Sequence, residues 1–240
     1  MKSLIAAVSI SFLAASGFAG PKVKITDDTI NFGKTPQQSV LTHAFWIKSV
    51  GDEALHIKEV VPGCGCTKAL LTDSLIAPGD SARLQINFST GRMNGMVAKR
   101  PYITTNASEE KQFLKIYAEM LVDSVATKPI QLAPLTLDVS QFNEKPRRRG
   151  TFKITNTSSQ DLTLSVVDSS FKSFTVKLPS VIKAGATVDG IVTVRKENIE
   201  TEFKESLTIA TNDTESSRFT LPVTRLYKVK PTGGTPLGQK

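Results

Sequence analysis

The stretch F-W-I-K-S-V-G-D-E-A-L-H-I-K-E-V-V, Phe45 to Val61, is met again as F-K-I-T-N-T-S-S-Q-D-L-T-L-S-V-V-D, Phe152 to Asp168. Apolar residues at every second position, then a small polar turn, then alternation again, read as two half-buried strands joined by a tight connection. Two later landmarks keep nearly the same spacing. Ile76-Ala77-Pro78-Gly79 matches Ile182-Lys183-Ala184-Gly185, and Thr104-Thr105-Asn106 matches Ala210-Thr211-Asn212. Three matches in one order mean that one unit of roughly 100 residues occurs twice.

Outward from these landmarks the pattern stays the same. Arg83 to Phe88, Leu114 to Ile116, Ile191 to Val194 and Ser206 to Ile209 alternate with period two. Turn residues separate them at Ala77-Pro78-Gly79-Asp80, Asn94-Gly95, Ala184-Gly185 and Asn212-Asp213. No amphipathic helical pattern appears. Short strands at this spacing predict an all-β chain of two tandem immunoglobulin-like β-sandwich domains, over residues 20–123 and 126–228. The segment between them, around Leu121 to Pro129, is short and has no Gly/Ser spacer. Residues 229–240, rich in Pro and Gly, read as a disordered tail.

Residues 1–19 read as a signal peptide: Lys2, an apolar run from Leu4 to Ala15, then small residues at Gly17 and Ala19. That run is too short to span a bilayer, and nothing later approaches the required length. The expectation is therefore a protein that is not transmembrane, periplasmic or secreted after cleavage near Ala19. Thirty Lys and Arg against 22 Asp and Glu give a formal net charge of +8. The one dense basic run is Lys145-Pro146-Arg147-Arg148-Arg149. Arg147, Arg148 and Arg149 offer contact to an anionic partner, or simply a solvated loop. Nucleic acid is not expected, because no basic stripe with interleaved aromatics accompanies the charge.

The two copies differ at one chemically distinctive place. The first carries Cys64-Gly65-Cys66-Thr67; the second has Phe171 and Ser173 where the cysteines would fall. In an oxidising compartment the pair has three outcomes. A Cys64–Cys66 disulfide closes a very small ring, which Gly65 makes feasible. A dithiolate binds a soft metal such as Cu(I). Thiol–disulfide exchange with a partner is the third. His43 and His56 fall on opposite strand faces by parity, so a shared His/Cys metal site is disfavoured. No G-x-S-x-G, H-E-x-x-H or phosphate-cradling glycine loop occurs. Two histidines on opposite faces leave little general-base capacity, and Glu109-Glu110 sits beside a turn. The reading is a non-enzymatic protein without a cofactor.

Ile30 to Asn106 resembles the bacterial family known as DUF1573, a domain of unknown function. The resemblance rests on Asn31-Phe32-Gly33, the strand from Phe45, Gly51-Asp52 with Leu55-His56-Ile57, Cys64-Gly65-Cys66-Thr67, Ile76 to Asp80, Ile86-Asn87-Phe88 and Thr105-Asn106. Beyond the cysteine loop it follows the general pattern of immunoglobulin-like domains of the ASPM/SPD-2/Hydin kind. Ser49 departs from the Asn usual in the family, although Asn156 fills that place in the second copy. The resemblance implies an exported, non-enzymatic β-sandwich and brings no known substrate. The function expected is a binding or structural module that presents loops and strand edges to a protein or cell-envelope partner. The alternative is periplasmic copper or thiol handling through Cys64 and Cys66.

Overall fold

The computed structural model describes residues 20–121, 127–142, 147–168, 170–215 and 217–228. The signal segment, the tail, part of the inter-copy segment and Lys145-Pro146 of the basic run lie outside them. The described residues are strands and connections, with one 3₁₀ turn at Lys196–Asn198. Among the described residues no helix is long and apolar enough to cross a membrane.

The strands of the first copy are β1 (Val23–Thr26), β2 (Thr29–Pro36), β3 (Val40–Ser49), β4 (Leu55–Val61), β5 (Thr67–Leu71), β6 (Leu75–Ile76), β7 (Ser81–Ser89), β8 (Gly95–Lys99), β9 (Tyr102–Thr105), β10 (Gln112–Phe113) and β11 (Lys115–Leu121). Those of the second are β12 (Ile130–Ala133), β13 (Leu137–Asp138), β14 (Arg149–Asn156), β15 (Leu162–Asp168), β16 (Phe174–Lys177), β17 (Val181–Ile182), β18 (Thr187–Val194), β19 (Phe203–Thr211) and β20 (Arg218–Arg225).

Every alternating run of the sequence falls inside one of these strands or at its margin, and alternation becomes burial. Along β3 Phe45 and Ile47 are buried while Trp46 is half exposed. Along β14 Phe152 and Ile154 are buried and Thr151 and Lys153 are exposed. The buried side chains gather into two cores. One is built from residues of β2, β3, β4, β7, β9 and β11, including Phe32, Phe45 and Phe88. The other is built from residues of β12 to β20, including Phe152, Phe174 and Phe219. Each core lies between sheets, because alternation leaves each strand only one apolar face to bury.

The first core is covered on one side by the sheet β1-β3-β7-β5 and on the other by β10-β9-β4-β6 together with β2, β11 and β8. The second lies between β12-β14-β18-β16 and the sheet containing β15, β19 and β20. These two systems share a sheet, running β17-β15-β19-β20-β2-β11-β8. The join is a bulge in β2. Tyr117 faces Asn31 and Glu119 faces Lys34, so β2 carries an extra residue there. Gly33 turns through φ +62° at that point, and a Cβ on it would lie 2.0 Å from the Arg218 carbonyl oxygen. Only glycine lets the two backbones come this close. Beside it the Thr220 hydroxyl donates to the Phe32 carbonyl at 2.6 Å, and Lys34 pairs with Phe219.

A second contact lies along the edge of β3 away from β7. The Thr42 N–H donates to Ser206 Oγ at 2.9 Å, and Ser206 Oγ donates back to the Thr42 carbonyl at 3.3 Å. Arg83, buried on β7, donates through Nη2 to the Ser170 carbonyl at 3.0 Å. The short, spacer-free connection seen in the sequence thus joins two halves held by both strand pairing and side-chain hydrogen bonds.

Candidate functional site

Strand β4 runs off its sheet at Val61, and the chain must cross to the opposite sheet to begin β5. Cys64-Gly65-Cys66 is that crossing. Gly63 opens it with φ +82°, a backbone state that L side chains rarely adopt. The Thr67 N–H donates to the Cys64 carbonyl at 3.2 Å, which closes the turn, and the Ser89 N–H donates to the Cys66 carbonyl at 2.8 Å, which ties it to β7. Cys64 and Cys66 form an adjacent pair with sulfurs at bonding distance and Cα atoms 5.2 Å apart. The Thr67 hydroxyl lies 3.3 Å from Cys64 Sγ and 3.8 Å from Cys66 Sγ. Thr67 is buried, Gly65 is exposed, and both cysteines are half buried. The loop therefore shows its glycine tip outward and roots its sulfurs on a buried threonine.

Beyond the loop, β5 pairs with β7 and with no other strand among the described residues, so it is a sheet edge. Thr72 donates to the Arg83 carbonyl and Ser89 donates to the Cys66 carbonyl. In an antiparallel ladder these bonds recur at every second residue. The main-chain groups of Lys68 and Leu70 therefore point to β7, and those of Ala69 and Leu71 point away from it. Leu70, 56% exposed, and Lys68 project from the outer face beside this edge. Edge strands with outward N–H and C=O groups are templates for an added strand. The sequence reading took Cys64 to Thr67 as the site and missed Thr67–Leu71. Its five residues carry two clean alternations, too few to stand out from the loop.

His43 lies on the inner side with its ring 4.5 Å from that of Phe45, and His56 is exposed, as parity required. Among the described residues no three His, Cys, Asp or Glu side chains converge.

In the second copy the matching stretch is built differently. Phe171 stacks on Phe174 at 4.4 Å and closes the end of the core. Glu205 holds the turn, accepting from the Lys172 N–H at 3.2 Å, the Ser173 N–H at 3.0 Å and Ser173 Oγ at 3.1 Å. Ser170 at its start accepts the hydrogen bond from Arg83 of the first half. Thus the loop in this position is already a docking element in one copy.

Arg147, Arg148 and Arg149 lead into β14 and line a shallow depression with Thr193 of β18. The structure places them in the second half, away from the cysteine loop, so the candidate residues form two sites. Beneath the arginines lies a residue the sequence reading passed over. Arg225 is 1% exposed. Its guanidinium donates to the carbonyls of Ile199 at 3.1 Å, Val139 at 2.5 Å and Arg147 at 2.9 Å, and to Gln141 Oε1 at 2.9 Å. Burial pushes its pKa down, and nearby Arg147 pushes the same way. Its acceptors are main-chain carbonyls and one amide, which leave no mark in a sequence.

No curated protein is significantly similar to the chain. Among solved structures, a protein of unknown function from Porphyromonas gingivalis is 11% identical, with a TM-score of 0.34, over 85% of this chain and 98% of that one. An ASH/PapD-like domain of human CEP192 is 13% identical, with a TM-score of 0.36, over 49% of this chain and 99% of that one. The YadV chaperone is 9% identical, with a TM-score of 0.30, over 84% and 98%. Residues 23–120 match the family model described as protein of unknown function, DUF1573. They span β1 to β11 and include the cysteine loop on which the resemblance rests, so this part of the chain matches the DUF1573 family model.

Proposed function

We propose that the protein is an exported, non-catalytic binding module of two tandem immunoglobulin-like domains, and that the first docks a protein or envelope partner through the Cys64–Thr67 loop and the β5 edge. The observation that carries this reading is the use of the same place in the second copy. There the loop from Ser170 grips the first half through Arg83 and Thr42. In the first copy the equivalent loop makes no hydrogen bond to the second half among the described residues and leads into an edge strand with outward main-chain groups. A peptide strand added to β5 would take its hydrogen bonds from Ala69 and Leu71, with Leu70 and Lys68 offering side-chain contacts. Pairing of Cys64 with Cys66 would fix the loop at the head of that edge and order it before binding, which lowers the entropic cost of association.

The test is a photo-crosslinking residue at position 70 in the protein expressed in its native envelope, with position 151 on β14 as the control. A discrete adduct at 70, absent at 151 and abolished by Ala69→Pro, supports the reading. Proline there removes an outward N–H without breaking the ladder to β7. Equal adducts at both positions, or none at 70, overturn it. Two free thiols with stoichiometric Cu(I) in the exported protein would instead favour copper handling through Cys64 and Cys66.

A further inference from the structure

A separate site lies in the second half. Arg149 pairs with Thr193 across β14 and β18. One step along, the Val194 N–H donates to the Arg148 carbonyl at 2.8 Å, which places Arg195 beside Arg147. Arg147, Arg148 and Arg149 line one depression with Thr193 at this end of the sheet, and buried Arg225 is bonded to the Arg147 carbonyl. Arg147, Arg148, Arg149 and Arg195 take no part in the ion pairs Lys58–Glu109, Lys115–Asp28, Lys153–Asp189 and Lys183–Asp161 found among the described residues. Such a concentration of like charge is unfavourable unless an anion offsets it.

The cluster is also held in place. Arg225 fixes the Arg147 carbonyl from beneath. Gln141 Oε1, itself bound to Arg225, accepts the Arg147 N–H at 3.2 Å. The chain entering β14 is thus pinned by a buried side chain, so the arginines are not carried on a free loop. Nε of Arg148, and Nε of Arg195 on the neighbouring strand, are enclosed, and among the described residues neither has an acceptor. A buried N–H without an acceptor is destabilising, most of all on a charged group.

We propose that the depression lined by Arg147, Arg148, Arg149 and Thr193 binds a phosphate group. A phosphate brings up to two negative charges and three strong acceptor oxygens to one point. A single carboxylate brings one charge and a planar pair of oxygens, which suits one arginine rather than several. Arg147 and Arg149, two residues apart, project from one side of β14, and the Thr193 hydroxyl lies on the pairing strand. The phosphate can come from a soluble phosphate ester or from a phospholipid headgroup.

The experiment uses the mature chain. Inorganic phosphate is titrated by calorimetry, and vesicles of phosphatidylglycerol are compared with vesicles of phosphatidylcholine by co-sedimentation. Binding of inorganic phosphate that falls at least tenfold in the Arg148→Gln/Arg149→Gln protein supports the site. Arg149→Gln alone, at an exposed position, should fall severalfold and guards against misfolding of the double variant. Binding to phosphatidylglycerol vesicles alone, lost in the same variants, also supports it and assigns the phosphate to a lipid. Lys24→Gln, on β1, should leave both signals within twofold. Equal loss in Lys24→Gln shows a diffuse basic surface and overturns the site. No response to either probe overturns it as well.

Discussion

The two halves solve the end of their third strand differently. In the second half Asn156 closes β14. It is fully buried, its amide donates to the carbonyls of Gln160 at 2.7 Å and Ile182 at 3.2 Å, and its Oδ1 accepts from Ser158 N at 2.9 Å and Oγ at 2.7 Å. In the first half Ser49 closes β3 at the same point of the repeat. It is equally buried, but among the described residues its hydroxyl has no partner. The main chain is the same in both: Ser49 N–H donates to the Asp80 carbonyl and Asn156 N–H to the Ala186 carbonyl. The fold at this turn is therefore set by the backbone ladder, and the side chain adds a network in one copy only. The cysteine loop follows the same rule. Both copies make the crossing and then an edge strand, β5 or β16, and only its filling differs.

The join between the halves is the strongest point at which to break this comparison. Gly33→Val should cost about 3 kcal/mol or more, since its Cβ would overlap the Arg218 backbone and φ +62° disfavours a β-branched residue. Calorimetry should then resolve two transitions where the parent shows one. A single unshifted transition would mean that the shared sheet contributes nothing to cohesion.

Next comes the Asn network. Asn156→Ser should cost about 2 kcal/mol, because the buried bond to the Ile182 carbonyl and the partly buried bond to the Gln160 carbonyl lose their donor. The reciprocal Ser49→Asn should stabilise the first half by about 1 kcal/mol if the turn there accepts the same network. Urea unfolding measures both. Loss of stability in Ser49→Asn would show that the two turns are not equivalent beyond their backbone.

Much of this was legible beforehand and some was not, for physical reasons. The long strands were readable because Phe45, Ile47, Phe152 and Ile154 are apolar residues on one face, and burial selects that pattern directly. The repeat was readable because it preserves turn residues. Strand β5 was not, since an edge strand of five residues alternates too briefly. The join at Gly33 was quoted only as part of a motif; its meaning depends on the Arg218 backbone, 185 positions away in the chain. Arg225 was invisible for a related reason. Its partners are main-chain carbonyls, which every residue possesses.

The cysteine pair sharpens the comparison at smaller cost. Cys64→Ser/Cys66→Ser should lower stability by no more than about 2 kcal/mol, because the ring is too small to constrain much of the unfolded chain. Phe171→Ala in the matching loop should cost more, about 3 kcal/mol, because that ring packs on Phe174 at the core's end. The order of the two losses is the test, read from denaturant midpoints. A larger loss for the cysteine pair would make it a structural staple and would remove the ground for placing recognition in that loop.

The smallest effect is an acid-dependent one at the turn after β19. Asp213 accepts from the Thr211 hydroxyl, the Ser217 N–H at 2.9 Å and the Ser217 hydroxyl at 2.8 Å. The first copy has Ala107 there, and its N–H reaches Thr105 Oγ1 at 3.2 Å. Partial burial pushes the Asp213 pKa up, but the hydrogen bonds from Thr211 and Ser217 outweigh it and hold it below the ordinary carboxylate value. A carboxylate with a lowered folded pKa stabilises the fold above its unfolded pKa, and that contribution is lost as pH falls through the folded value. The group is only partly buried, so the contribution should stay below about 1 kcal/mol. The stability gap between the parent and Asp213→Ala should therefore be full at neutral pH and should narrow below pH of about 4. A gap that stays constant down to pH of about 2 would mean that the turn depends on the shape of the side chain rather than on its charge.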